Sequence, residues 1–174
     1  MSNVLPVGVV GVGHLGSRHA QIYARLPGVR LVAVCDIDRR RAQTVARQLG
    51  CDAVTDARRL IGRVAAVSLA TPSGLHYALD KTLLEAGIHV LVEKPIATSL
   101  PHAQALIQIA RRRRRVLQVG HVERFNAALA AALKHLRHPR FIEVHRLSPY
   151  PFRGTDVSVA LDVMIHDLDV ILAL

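Results

Sequence analysis

Aromatic residues are scarce in this 174-residue chain: Phe, Tyr and Trp together make up 3%, and Trp is absent. A core must therefore be built from Val, Leu, Ala and Ile, and a hydrophobic content of 51% supplies enough of them. Cysteine is nearly absent too. Cys35 and Cys51 fit no C-x-x-C or zinc-ligand spacing, which excludes a disulfide scaffold and a thiolate zinc module and suits a reducing, cytoplasmic setting. No apolar run reaches the ~18 residues of a membrane span, so no membrane association is expected. The opening MSNVLP has neither a basic region nor a long apolar stretch, so no secretory leader is expected. Acidic residues are few, 13 against 23 Lys and Arg, for a net charge of +10. Such basicity alone is compatible with nucleic acid, a membrane surface or a small anion. The densest block, Arg111–Arg115, stands where a helix should end, and cations there complement the helix dipole. No aromatics are interleaved with it and no helix-turn-helix, zinc-finger or RNP pattern occurs, so no nucleic-acid function is expected.

What the chain does have is VLPVGVVGVGHLGSRHAQIYARL, residues 4 to 26. An apolar run broken only by Pro6 and Gly8 is followed by Gly11-x-Gly13-x-x-Gly16 and then by Ala20, Ile22, Tyr23 and Leu26 at helical spacing. Strand, glycine turn and helix in that order form the dinucleotide-binding context. Gly11 makes the tight turn, Gly13 lets a pyrophosphate approach the main chain, and Gly16 lets helix pack on strand. His14 and Leu15 lie inside the turn, where free helix N–H groups meet phosphate. The run Val29–Cys35 reads as the next strand, and Asp36 follows it, twenty positions after Gly16. That is where an acidic residue binds the adenosine ribose, and it repels a 2′-phosphate. NAD is therefore expected over NADP, although Arg39, Arg40 and Arg41 leave NADP possible.

Further along, Arg39–Leu49 reads as a helix with Asp38 as cap and Gly50 as terminator. CDAVTD is a short strand, and Asp56 opens a brief helix. Val64–Ala70 is a strand before the breaker TPSG. A helix follows with Leu75, Ala78, Leu79, Leu83 and Leu84 on one face, ending at Gly87. Ile88–Val92 is a strand, Thr98 or Ser99 caps the next helix, and Val116–Val119 is a sixth strand. Alternating strands and helices predict an α/β fold, a Rossmann-like doubly wound parallel sheet over residues 1–120. Residues 121–174 then begin a second α/β domain: an alanine-rich helix to about Leu136, Phe141–Leu147 alternating as the first strand of a new sheet, and a helix capped by Asp156. Asp162 and His166 are at i, i+4 on that helix, with Val159, Val163 and Val170 near the same face. The chain stops at Leu174 inside an apolar helical pattern, so a chain truncated within its second domain is expected.

With these motifs in hand, the sequence resembles the Gfo/Idh/MocA oxidoreductases over essentially its whole length. The matching pieces are VGVGHLGSRHA, VCDID, LATPSGLHYALDKTLLEAGIHVLVEKPIA, VLQVGHVERFNAA and LDVMIHDLD. The resemblance implies an N-terminal domain holding NAD or NADP and a C-terminal open-sheet domain that covers substrate and makes homo-oligomers. It implies that Thr71, Pro72 and His76 lie along the cofactor with Glu93 and Lys94, and that Lys94 of the E-K-P turn, Asp162 and His166 are catalytic. GHVERFNAA and the final helix look most similar to the nucleotide-sugar dehydrogenases of the family, which oxidise the 3-hydroxyl of UDP-N-acetylglucosamine ahead of an aminotransferase in lipid A synthesis. A sugar or UDP-sugar is then the implied partner.

Oxidising a hydroxyl needs a base for its proton and an acceptor for the carbon-bound hydrogen, which is the nicotinamide. His166 fits the base, since imidazole exchanges protons near neutrality. Lys94 fits an alkoxide-stabilising donor, or the base itself if burial lowers its pKa. Asp162 would orient either. Arg124 and Asn126 are candidates for substrate contact or for helix capping. His135 and His138 have no third ligand, and no metal is expected. The other function class open at this point is a non-catalytic nucleotide-binding or sensing module, or a dehydrogenase of another sugar or cyclitol. Lys94 with Asp162 and His166 separates a catalyst from a pure binder, which does not need them.

Overall fold

The apolar run at the N-terminus forms β1 (Leu5–Val10), and its last four residues are buried on both faces. A parallel sheet covered by helices on both sides demands such a run. The remaining strands are β2 (Val29–Cys35), β3 (Asp52–Val54), β4 (Ala66–Leu69), β5 (His89–Val92) and β6 (Leu117–Val119). All pair in parallel, in the spatial order β3-β2-β1-β4-β5-β6. The order reverses at β1, and the crevice at such a switch point is where open α/β sheets take ligands. The computed structural model describes residues 4–136, 138–147 and 158–174. Among these, no helix is long and apolar enough to cross a membrane.

The connecting helices are α1 (His14–Tyr23), α2 (Arg39–Leu49), α3 (His76–Glu85) and α4 (Leu100–Arg113). Their ends follow local chemistry. Asp38 caps α2, accepting from the Arg40 and Arg41 main-chain N–H groups, and Gly50 closes it. Ser99 rather than Thr98 caps α4, with Pro101 in the first turn. Arg111–Arg113 fill its last turn and complement the free carbonyls. Two apolar clusters flank the sheet. One joins Leu60, Leu69, Leu83, Leu84, Val90, Val92 and Leu106; the other joins Val7, Val9, Ala20, Leu31, Val34 and Val45.

The helix α3 is rotated from its expected face. Its buried residues are His76, Asp80, Leu83 and Leu84, whereas Leu75 is 46% exposed and Ala78 is also exposed. Positions 76, 80, 83 and 84 form one stripe at helical spacing, and two polar residues in it hide the period from a hydrophobicity reading.

The chain divides into two compact units, Met1–Val119 and Gly120–Leu174. In the second, a 3₁₀ turn, Val122–Phe125, leads into α5 (Ala127–Leu133), which ends short of the expected Leu136. Residues 141–147 are not a strand, despite their alternation. A strand needs a neighbour to take its N–H and C=O groups, and none is present among the described residues. The last segment opens as a π turn, Ala160–Met164, and continues as α6 (Ile165–Ile171). Asp162 lies in the π turn and His166 in α6, both half-buried; Val159 is 73% exposed, off the expected face. The expected cap, Asp156, lies outside the described residues. Arg124 holds Asp169 with two hydrogen bonds of 2.7 Å, and Arg146 holds Asp167 at 2.7 Å, so ion pairs tie the second unit's turns to α6.

Candidate dinucleotide site

At the carboxyl end of β1 the chain turns sharply. The Gly11 N–H donates to the Cys35 carbonyl, and Gly11 sits at φ +80°, where side chains are strained. A Cβ there would lie 2.6 Å from the Ala70 carbonyl oxygen. A Cβ on Gly16 would lie 1.7 Å from the Gly11 carbonyl oxygen, so helix and turn touch through main chain alone. Gly13 is different: a Cβ there meets nothing within 4 Å. The three glycines thus divide as the motif requires, two for the protein's own packing and one facing open space.

Gly13 is also the N-cap of α1, with no side-chain cap and no acidic residue in the first turn. The first N–H groups of a helix without such a cap form an anion site. His14 and Leu15 follow in that turn, both exposed. Across from it, the Thr71 hydroxyl is buried and has no hydrogen-bond partner among the protein's groups. A buried hydroxyl at the mouth of a crevice is a ready partner for a ligand. Main-chain donors, an open face at Gly13 and this orphaned hydroxyl together fit a dinucleotide pyrophosphate.

The carboxylate of Asp36 lies at the end of β2 and is only 6% exposed. It accepts from the Val12 N–H at 3.0 Å and the Asp38 N–H at 2.9 Å, so it holds both the glycine turn and the start of α2. Arg41 reaches back to the same carboxylate at 3.2 and 3.3 Å. Asp36 therefore organises the loop that carries Gly13. Of the three neighbouring arginines, Arg41 faces Asp36, while Arg39 lines a separate cleft of about 300 Å³ with Arg59.

The second wall is made by the loops after β4 and β5. His76 is buried, and its ring bridges them: Nδ1 lies 2.7 Å from the Pro95 carbonyl oxygen and Nε2 2.9 Å from that of Thr71. Its ring therefore serves the protein's own main chain. Pro72 is exposed and precedes the 3₁₀ turn Ser73–Leu75. Glu93 and Lys94, both half-buried, follow β5 directly, and the Lys94–Pro95 bond is cis. The Glu93 carboxyl is held below its usual range: burial opposes this, but His19 and the Lys94 main-chain N–H stabilise the charged form.

In the second unit, Arg124 is engaged with Asp169, and Asn126 caps α5 while donating to Glu123. The sequence named Arg41 only among three arginines that could accept a 2′-phosphate, and His19, Ser68 and Asp80 were not anticipated. Only His19 carried a signal, its place one turn beyond Gly16; the others lie in segments whose pattern reads as plain strand or helix.

A family model described as "Oxidoreductase family, NAD-binding Rossmann fold" matches residues 5–121. The chain is 41% identical over 172 residues to UDP-N-acetylglucosamine 3-dehydrogenase of Acidithiobacillus ferrooxidans, covering 96% of this chain and 53% of that protein. A solved structure of that enzyme superposes with a TM-score of 0.91 at 40% identity, over 98% of this chain and 56% of the other. The scyllo-inositol dehydrogenase of Lactobacillus casei, solved with NAD(H) and scyllo-inositol, superposes with a TM-score of 0.71 at 26% identity, over 75% of this chain and 40% of the other. The chain thus spans about half the length of these proteins.

Proposed function

Because the chain belongs to the Gfo/Idh/MocA oxidoreductase family, we propose that it binds NAD at the glycine turn and serves the oxidation of a sugar hydroxyl. The substrate is a nucleotide sugar, UDP-N-acetylglucosamine, oxidised at its 3-hydroxyl. The observation that carries this reading is the 41% identity to a UDP-N-acetylglucosamine 3-dehydrogenase, which extends over 96% of the chain. Residues 121–174 then belong to the start of the domain that receives the sugar.

Bound NAD supplies the acceptor for the hydrogen that leaves carbon 3 with its electron pair. The chain's own groups do the rest. The α1 N-terminus and the Gly13 main chain hold the pyrophosphate, and Asp36 faces the adenosine ribose. Lys94 donates a hydrogen bond to the reacting oxygen and stabilises its alkoxide character. The hydroxyl proton passes to the His166 imidazole or to the Lys94 amine, with Asp162 orienting the acceptor. Proton and hydrogen together leave a 3-keto sugar.

Turnover with NAD and UDP-N-acetylglucosamine, followed by reduced-nicotinamide absorbance, tests the proposal. Lys94→Ala is expected to abolish turnover and spare NADH binding; equal loss of both contradicts the role given to Lys94. Faster turnover of a free cyclitol than of the UDP-sugar would replace the substrate assignment with that of the inositol dehydrogenases.

A further inference from the structure

Behind the glycine turn, side chains from three elements form one hydrogen-bonded run. His19 on α1 places Nδ1 2.6 Å from the Ser68 hydroxyl on β4 and Nε2 3.3 Å from Glu93 Oε1 beyond β5. Tyr23, one turn further along α1, hydrogen-bonds Ser68. Ser68 is fully buried, and the side chains of His19 and Glu93 are 18% and 11% exposed. The run is internally consistent. A carboxylate only accepts, so Nε2 carries the proton that faces Glu93, and Nδ1 faces the Ser68 hydroxyl.

The carboxylate at the end of this run also accepts the main-chain N–H of Lys94. The Glu93 N–H donates to the Leu69 carbonyl, and the Pro95 carbonyl is held by His76 from α3. The residues on either side of Lys94 are thus each tied by a histidine from a different helix, Glu93 through its side chain and Pro95 through its main chain. The His19 tie comes from α1, three residues after Gly16, and so sets the lysine against the anion site.

We propose that His19 is a positioning residue for Lys94. It holds the Glu93 carboxylate, which holds the Lys94 main chain, and so fixes the root of a long, flexible side chain relative to the glycine turn. This deepens the function proposed above, since it gives Lys94 a reason to be held. A misplacement of about 1 Å at a reacting group costs on the order of 100-fold in rate.

The two ring nitrogens can be tested separately. His19→Gln keeps a donor near the Nε2 position and so the bond to Glu93. His19→Asn keeps one near the Nδ1 position, towards Ser68, and loses Glu93. In His19→Asn the Glu93 carboxyl should titrate higher by ¹³C NMR, and the Lys94 amide should exchange at least about tenfold faster. Both should stay near parent values in His19→Gln and Ser68→Ala. With UDP-N-acetylglucosamine and NAD, kcat should fall at least about tenfold in His19→Asn, recover in His19→Gln, and leave the KM for NAD little changed. Unchanged Glu93 titration and Lys94 exchange in His19→Asn would overturn the proposal. So would equal losses in His19→Asn and His19→Gln, which would mark His19 as a packing residue. Absence of turnover by the parent protein would sink the proposed function instead, and the two NMR readouts would still decide the clamp.

Discussion

Replacing Asp80 by Asn should stabilise this protein, and increasingly so as pH rises. Asp80 sits on the buried stripe of α3 with no exposed surface, and neither carboxylate oxygen has a hydrogen-bond partner. Burial pushes its carboxyl up to about 8 from an ordinary 3.8. The folded protein therefore keeps this proton where the unfolded chain releases it. Stability is full below about pH 4, falls as pH rises towards 8, and is flat above that. At ~1.4 kcal/mol per pH unit the penalty is about 4 kcal/mol at pH 7, with a ceiling of about 6 kcal/mol above pH 8. Asn has nearly the same shape and no charge to desolvate. Any cost of its own unpartnered amide is constant with pH. The assay is urea unfolding of both proteins between pH 5 and 9. The gap should widen by about 3 kcal/mol from pH 5 to pH 7 and level off above 8. Parallel stability curves would refute the reasoning, and would mean that the carboxylate is ionised and solvated in the folded state.

Four further outcomes follow. Gly13→Ala should weaken NADH binding at least about tenfold without lowering the melting temperature, because its Cβ meets no protein atom but would fill the space taken by the proposed pyrophosphate. Gly16→Ala should instead unfold or shift α1, since its Cβ would lie 1.7 Å from a main-chain oxygen; a stable Gly16→Ala protein would contradict this. Arg41→Ala should weaken NADPH about fivefold, the value of about 1 kcal/mol for a half-exposed charge, while leaving NADH unchanged or tighter because Asp36 loses a competitor. In native protein at pH 8, Cys35 should resist iodoacetamide, as burial and the nearby Asp36 and Asp56 charges push its thiol up to about 12; rapid labelling would show that the end of β2 opens.

Much of the first unit was legible because its signals are local. The glycine spacing, the Asp38 and Ser99 caps, the glycine terminators and the apolar runs each act within a few residues, and together they specify a parallel sheet. The place of Asp36 at the end of β2 was legible, but its bond to the Val12 N–H was not, because nothing in VCDID says which way the carboxylate turns. The face of α3 was misread because His76 and Asp80 occupy core positions: the ring of one lies between the carbonyl oxygens of Thr71 and, across the loop after β5, Pro95, and the other has no hydrogen-bond partner. Long-range satisfaction of this kind has no sequence period. The run Phe141–Leu147 failed for the opposite reason. Its period is that of a strand, but a strand is made by its neighbour, and none is present among the described residues. The π turn at Ala160–Met164 changes the spacing around Asp162 in a way that an i, i+4 count does not anticipate.

The most direct test of the account is a titration of the 174-residue chain with NADH and NADPH, read by reduced-nicotinamide fluorescence, with Asp36→Ala alongside. NADH should bind more tightly than NADPH, and Asp36→Ala should erase or reverse the preference. A folded protein that binds neither cofactor, or one that prefers NADPH and is indifferent to Asp36, would contradict it.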